Sequence, residues 1–148
     1  MHLNPGVIQA MLGLERQVQR AGLDTTLLDL VRMRASQING CSTCLDIHSK
    51  DARANGETEQ RLYGLSAWRD TPYYSASERA ALEWTEALTR LADSRVSDDL
   101  FERVRRQFDE AELVALTFAV IVINGWNRLS ISFRPPVGTY QPAAAAAV

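Results

Sequence analysis

The sequence predicts an all-α fold of about six or seven helices. Three observations carry that expectation. Apolar residues recur at three- and four-residue spacing through most of the chain. Asn-Gly, Gly and Pro signals separate the runs, and Ser, Thr or Asp stands ahead of several of them. The strongly β-branched run Val120-Ile121-Val122-Ile123 lies inside a long helical pattern with no turn signal before it. No repeat or linker divides the chain, and 148 residues is a single-domain size. One domain over 1–138 and a loose tail over 139–148, with its alanine run from Ala143, are expected.

Taken in order, Val7 to Ala21 reads as an amphipathic helix. Pro5 opens it, Val7, Met11, Leu14 and Val18 give it a face, and Gly22 stops it. Asp24 or Thr25 caps a second helix with Leu27, Leu28, Leu30, Val31 and Ala35 inward, ended by Asn39-Gly40. A third starts near Ser42 and runs to Asn55-Gly56. Thr58 opens a shorter helix through Leu62, Leu65 and Trp68, and Pro72 marks the loop that follows. Ser77 is the expected cap of a helix over Glu78 to Leu91. Asp99 to Phe108 forms another. Asp109 or Glu110 begins the longest, which runs to about Phe133 before Pro135-Pro136. Its middle, Leu113 to Ile123, is apolar all round, which fits a central buried helix or an oligomer contact.

Composition excludes several function classes. Hydrophobic residues make up 46% and charged residues 23%, ordinary for a soluble domain. A net charge of −2 gives no reason to invoke nucleic acid or an anionic membrane. Every basic residue except Lys50 is an arginine, read here as compositional bias. Met1 to Gly6 lacks a secretory pattern, and Leu113 to Ile123 falls short of the ~20 apolar residues a bilayer span needs. A cytoplasmic protein is the expectation.

The chemistry concentrates in Asn39 to His48. This stretch holds both cysteines, Cys41 and Cys44, and one of two histidines, His48. Offsets of i, i+3 and i+7 fall within about 60° of arc on a helix, so the three side chains are expected on one face. A C-x-x-C pair at a helix start closes and reopens a disulfide, and unpaired N–H groups there favour a thiolate. By that logic Cys41 is the more acidic thiol. His48, one turn beyond Cys44, is placed to take a thiol proton. The bland alternatives are small buried hydrophobes for the cysteines and a satisfied core residue for the histidine. Zinc is disfavoured, because two Cys and one His supply three ligands where a structural site wants four. No cofactor is expected. His2, near the terminus, is assigned no role. Gln37 and Asn39 either aim polar groups at the thiols or cap the helix end. Trp126, Asn127 and Arg128 read as packing or oligomer contacts.

The stretch from Leu28 to Ala52, with R-x-R-x-S-Q-x-N-G ahead of C-x-x-C and a histidine four residues on, resembles the carboxymuconolactone decarboxylase family in its alkylhydroperoxidase D-like branch. Ile123-Asn124-Gly125-Trp126-Asn127-Arg128 resembles it too, and the likeness spans roughly Val7 to Gly138. It implies an all-helical protein that oligomerises, often as a trimer or hexamer, and reduces hydroperoxides at the expense of an external dithiol donor. It implies Cys44 as the peroxidatic thiol and Cys41 as the resolving one. Peroxidase members place a Glu of the histidine's proton relay where this chain has Asp29, one methylene shorter. Some carry a histidine where this chain has Thr43. Decarboxylase members lack the cysteine pair, so that activity is not carried over.

Two functions follow. One is a thiol-dependent peroxidase or disulfide oxidoreductase using Cys44, Cys41, His48 and Asp29. The other is a redox sensor or stress-response oligomer with little turnover, which the thinned relay motivates.

Overall fold

The computed structural model describes residues 5–93 and 95–142; His2 and residues 143–148 of the expected tail lie outside them. The described residues form α1 (Pro5–Arg20), α2 (Thr25–Asn39), α3 (Ser42–Ala54), α4 (Glu59–Gly64), a 3-10 segment (Leu65–Asp70), α5 (Ala76–Thr89), α6 (Asp98–Arg105) and α7 (Glu110–Phe133). There is no strand among them, so the all-α expectation holds.

Capping explains most boundaries. Asp24 Oδ1 accepts the Leu27 N–H at 3.0 Å and starts α2, and Thr58 does the same for α4. Asp109 and Glu112 form a capping box at the start of α7. The cap of α5 is Ser75, not the expected Ser77. Ser75 Oγ accepts the Glu78 N–H at 3.2 Å, and Glu78 Oε2 accepts the Ser75 N–H at 2.7 Å. That reciprocal pair needs the glutamate three positions after the cap, and Ser77 is adjacent to Glu78.

The core is organised around α2, which packs against α3, α5 and α7. Every residue from Leu27 to Met33 is buried, together with Ala35 and Ser36. Leu30 and Leu82 are fully buried in one cluster with Leu65 and Trp68. Truncating either to alanine costs roughly 2–5 kcal/mol. α7 is one-sided: Leu113, Leu116, Val120 and Ile123 face inward, while Val114, Phe118 and Ile121 are exposed. The helix is long and apolar enough to cross a bilayer by composition alone, but 44% of its most apolar window is buried in this fold. α2, rather than α7, is therefore the central helix.

The chain beyond α7 is tethered over residues 138–140. The Gly138 N–H donates to Asp46 Oδ2 at 3.1 Å, and Lys50 Nζ donates to the Tyr140 carbonyl at 3.0 Å. The Tyr140 hydroxyl donates to Asp51 at 2.6 Å. The start of the expected loose tail is thus held against α3 by that helix's own polar side chains.

Candidate redox site

The dithiol sits where α2 ends and α3 begins. Gly40 takes the left-handed conformation at φ 68°, and its N–H reaches the Gln37 carbonyl. The Cys41 N–H reaches the Ser36 carbonyl at 3.0 Å, completing a Schellman reversal. No atom lies within 4 Å of where a Gly40 side chain would begin, so backbone conformation alone selects glycine there. Cys41 is also the N-cap of α3, its Sγ accepting the Cys44 N–H at 3.4 Å. It therefore lies ahead of the helix and not on its face. Cys44 and His48, four residues apart within α3, do share a face.

Both cysteines are free and buried, at 1% and 3% exposure, against Ala35, Ile123 and Trp126. The expectation of easily lost thiol protons fails at Cys44. Burial pushes its thiol up to about 11, and the adjacent Cys41 sulfur adds to the rise. Hydrogen bonds to Asn127 and Ser130 lower it without offsetting the loss of water. The Ser130 Oγ stands 3.8 Å from Cys44 Sγ. Ser130 also lines an apolar cleft of about 450 Å³ with Ile8, Trp126, Leu129 and Phe133.

Toward the other end of α3 the site becomes polar. His48 Nδ1 lies 3.7 Å from Asp51 Oδ2. Burial opposes the Asp51 charge, but His48 and the Tyr140 hydroxyl outweigh it and hold the carboxyl below its usual range. The same bond pushes the Tyr140 phenol up to about 12. Asp29, 1% exposed, is close enough to feel His48 electrostatically. Its hydrogen bonds go elsewhere: Asn55 Nδ2 donates to it at 2.7 Å and Arg32 Nη1 at 3.3 Å. Burial dominates and keeps the Asp29 carboxyl above its usual range despite those donors. Arg32 also pairs with Glu15 at 3.2 Å. A polar cleft of about 470 Å³ opens here, lined by Asp29, Arg32, Asp51, Asn55 and Tyr140.

Sequence reasoning missed Asp51, Tyr140, Asn127 and Ser130. Asp51 carries a local signal, being three residues after His48 on the same helix face. The other three come from distant parts of the chain. Gln37 turns away from the thiols to accept from Arg34 at 3.1 Å. Asn39 reaches across to α7, donating to Asn127 at 2.8 Å and Asn124 at 3.0 Å. No group of three or more His, Cys, Asp or Glu side chains is arranged to hold a metal ion among the described residues.

Comparison with known proteins agrees with this architecture. Residues 5–87 match the model of the carboxymuconolactone decarboxylase family. The uncharacterized protein YdfG of Bacillus subtilis is 42% identical over 128 residues, covering 86% of this chain and 87% of YdfG. A crystal structure from Agrobacterium tumefaciens superimposes with a TM-score of 0.86 at 39% identity, covering 95% of this chain and 93% of that one. It is described as a protein of unknown function and a candidate antioxidant defence protein AhpD. The debrominase Bmp8 shares the fold, with a TM-score of 0.82 at 19% identity over 92% of this chain and 73% of its own. With its family model matched over more than half its length, the chain belongs to the carboxymuconolactone decarboxylase family and carries an AhpD-like fold.

Proposed function

We infer that this protein is a thiol-dependent peroxidase that reduces organic hydroperoxides through Cys41 and Cys44. The observation that carries the reading is the free, buried cysteine pair, with Cys41 Sγ capping the helix on which Cys44 and His48 share a face. The antioxidant description of the Agrobacterium structure supports the same class.

The Cys44 thiolate, formed as His48 takes the thiol proton, attacks the distal peroxide oxygen. The O–O bond breaks, Cys44 becomes a sulfenic acid, and the alkoxide leaves with a proton supplied through His48. The Cys41 sulfur, deprotonated in turn, then attacks the sulfenic sulfur and expels hydroxide, which is protonated to water. One peroxide thus takes two electrons and yields one alcohol, one water and one disulfide. An external dithiol restores the pair by exchange. Asp51 orients the His48 ring, while Asp29 keeps the relay position that the resemblance implies. Access to Cys44 comes past Ser130, at the wall of the apolar cleft. The exposed stripe of Val114, Phe118 and Ile121 supports self-association through α7.

Rapid mixing with cumene hydroperoxide tests the reading. Wild type is expected to lose two thiols per peroxide, and Cys44→Ser to consume peroxide no faster than buffer. Equal rates for the two proteins would refute it. A redox sensor with slow turnover is the second reading, favoured by the burial of both sulfurs and the raised Cys44 thiol. It requires oligomer mass to change between oxidised and reduced protein while turnover stays slow.

A further inference from the structure

We propose that Asn127 and Ser130, neighbours on one face of α7, are catalytic donors to the Cys44 thiolate, and that Asn39 is the positioning residue that aims the Asn127 amide. The inference rests on the reading of Cys44 as a reacting sulfur.

The argument begins with Arg128, which can only donate. Its Nη1 donates to Asn124 Oδ1 at 3.1 Å, while Asn124 Nδ2 donates to the Val120 carbonyl at 2.9 Å. A guanidinium at one end and a carbonyl at the other leave the Asn124 amide one orientation. Its Oδ1 therefore accepts from Asn39 Nδ2 at 3.0 Å, which fixes Asn39 in turn. Asn39 Nδ2 also donates to Asn127 Oδ1 at 2.8 Å. With its carbonyl taken, Asn127 turns its NH2 inward, donating to Ser36 Oγ at 3.0 Å, and its amide favours charge on the nearby Cys44 sulfur. Asn127 is fully buried, so no water competes for its second amide proton. Polarity thus passes from Arg128 through three asparagines to the sulfur.

Ser130 supplies a second donor. Against a neutral thiol its hydroxyl accepts, at 3.8 Å from Cys44 Sγ. Against a thiolate the hydroxyl turns and donates. Two aimed donors lower the cost of a negative charge in a site that excludes water. They act whether the Cys44 thiolate is attacking peroxide or leaving from the disulfide.

The test titrates Cys44 in a Cys41→Ser background, so that a single thiol reports, by the pH dependence of its alkylation by iodoacetamide. Ser130→Ala and Asn127→Ala are each expected to raise the apparent pKa by about one unit, on the scale of a hydrogen bond to a charged group. Asn39→Ala, which leaves the Cys44 neighbours intact but frees the Asn127 amide, is expected to raise it by about half as much. Ser130→Thr keeps the hydroxyl and should restore the parent value. Should Asn127→Ala fail to fold, the Ser130 and Asn39 variants decide. An unchanged titration in folded Ser130→Ala and Asn39→Ala would overturn the proposal. No peroxide enters the assay, so that failure is distinct from failure of the peroxidase reading.

Discussion

The two ends of α3 differ in depth and behave differently: Cys44 is buried, whereas the Asp51 side chain keeps 28% of its surface exposed. At its start, Cys44 is 3% exposed and its thiol is pushed up to about 11. Toward its end, Asp51 keeps its charge below the usual carboxylate range. Desolvation is the largest influence on both. The difference lies in that depth and in the partners. Asp51 receives a hydroxyl proton at 2.6 Å and faces an imidazole, whereas Cys44 has a second sulfur beside it and weaker, longer contacts. Asp29 shows that donors alone do not suffice, since its carboxyl stays above the usual range even with Asn55 and Arg32 in contact. The strength of nearby donors against the depth of burial decides the charge at each position.

The largest effect expected from breaking this arrangement is at the sulfur end. Cys41→Ser should stop disulfide formation and turnover while leaving a single oxidisable thiol, seen as sulfenic acid on Cys44 after peroxide. At the carboxylate end, Asp51→Asn should lower turnover roughly 10- to 100-fold by releasing the His48 ring, less than the roughly 10²- to 10⁴-fold of a general acid–base group itself because Asp51 acts through His48. Measured against pH, its loss should be greatest where wild type is fastest. Asp29→Asn should have the smaller effect of the two; the reverse ranking would make Asp29 the main carboxylate of the relay.

Stability gives the next test. The Cys44 pKa is raised above the unfolded value of 9.0, so its contribution is fully present below pH 9 and lost as pH rises toward about 11. Denaturant titration of the reduced protein should show a fall on the order of 2 kcal/mol across that window. Cys44→Ala should remove that part of the slope. Gly40→Ala is expected to cost about 1–2 kcal/mol through the left-handed backbone alone, with no steric clash to relieve. Tyr140→Phe should cost least, about 1 kcal/mol, by removing one donor from Asp51. Its signature is a shift of the acid limb of activity to higher pH as the Asp51 pKa relaxes upward.

Much of this was legible in local sequence, and the misses have common causes. The caps at Asp24, Thr58 and Asp109 act within three residues, so the helix starts they set could be read directly. The Asn39-Gly40 stop and the C-x-x-C after it are local too. Cys41 was misplaced because a regular spacing was extended through a residue whose backbone is extended, at ψ 97°. α2 was not recognised as central because Asp29 and Arg32 look like surface residues. Their mutual contact is local to α2, but the Glu15 and Asn55 partners that help make burial tolerable come from elsewhere in the chain. Asn127 and Ser130 approach Cys44 only through packing of α7 on α3, and no periodicity announces a polar contact across some 86 positions. Tyr140 follows Pro135-Pro136, where the chain carries no repeating pattern, and its role depends on Asp51 and Lys50 standing one residue apart on the far helix.

Intact mass and peptide mapping after one equivalent of cumene hydroperoxide most directly test the central claim that these two sulfurs exchange electrons with peroxide. The account requires a loss of two hydrogens, a Cys41–Cys44 disulfide in a single peptide, and one equivalent of cumyl alcohol. Full consumption of the peroxide with both thiols still free and alkylatable would contradict it.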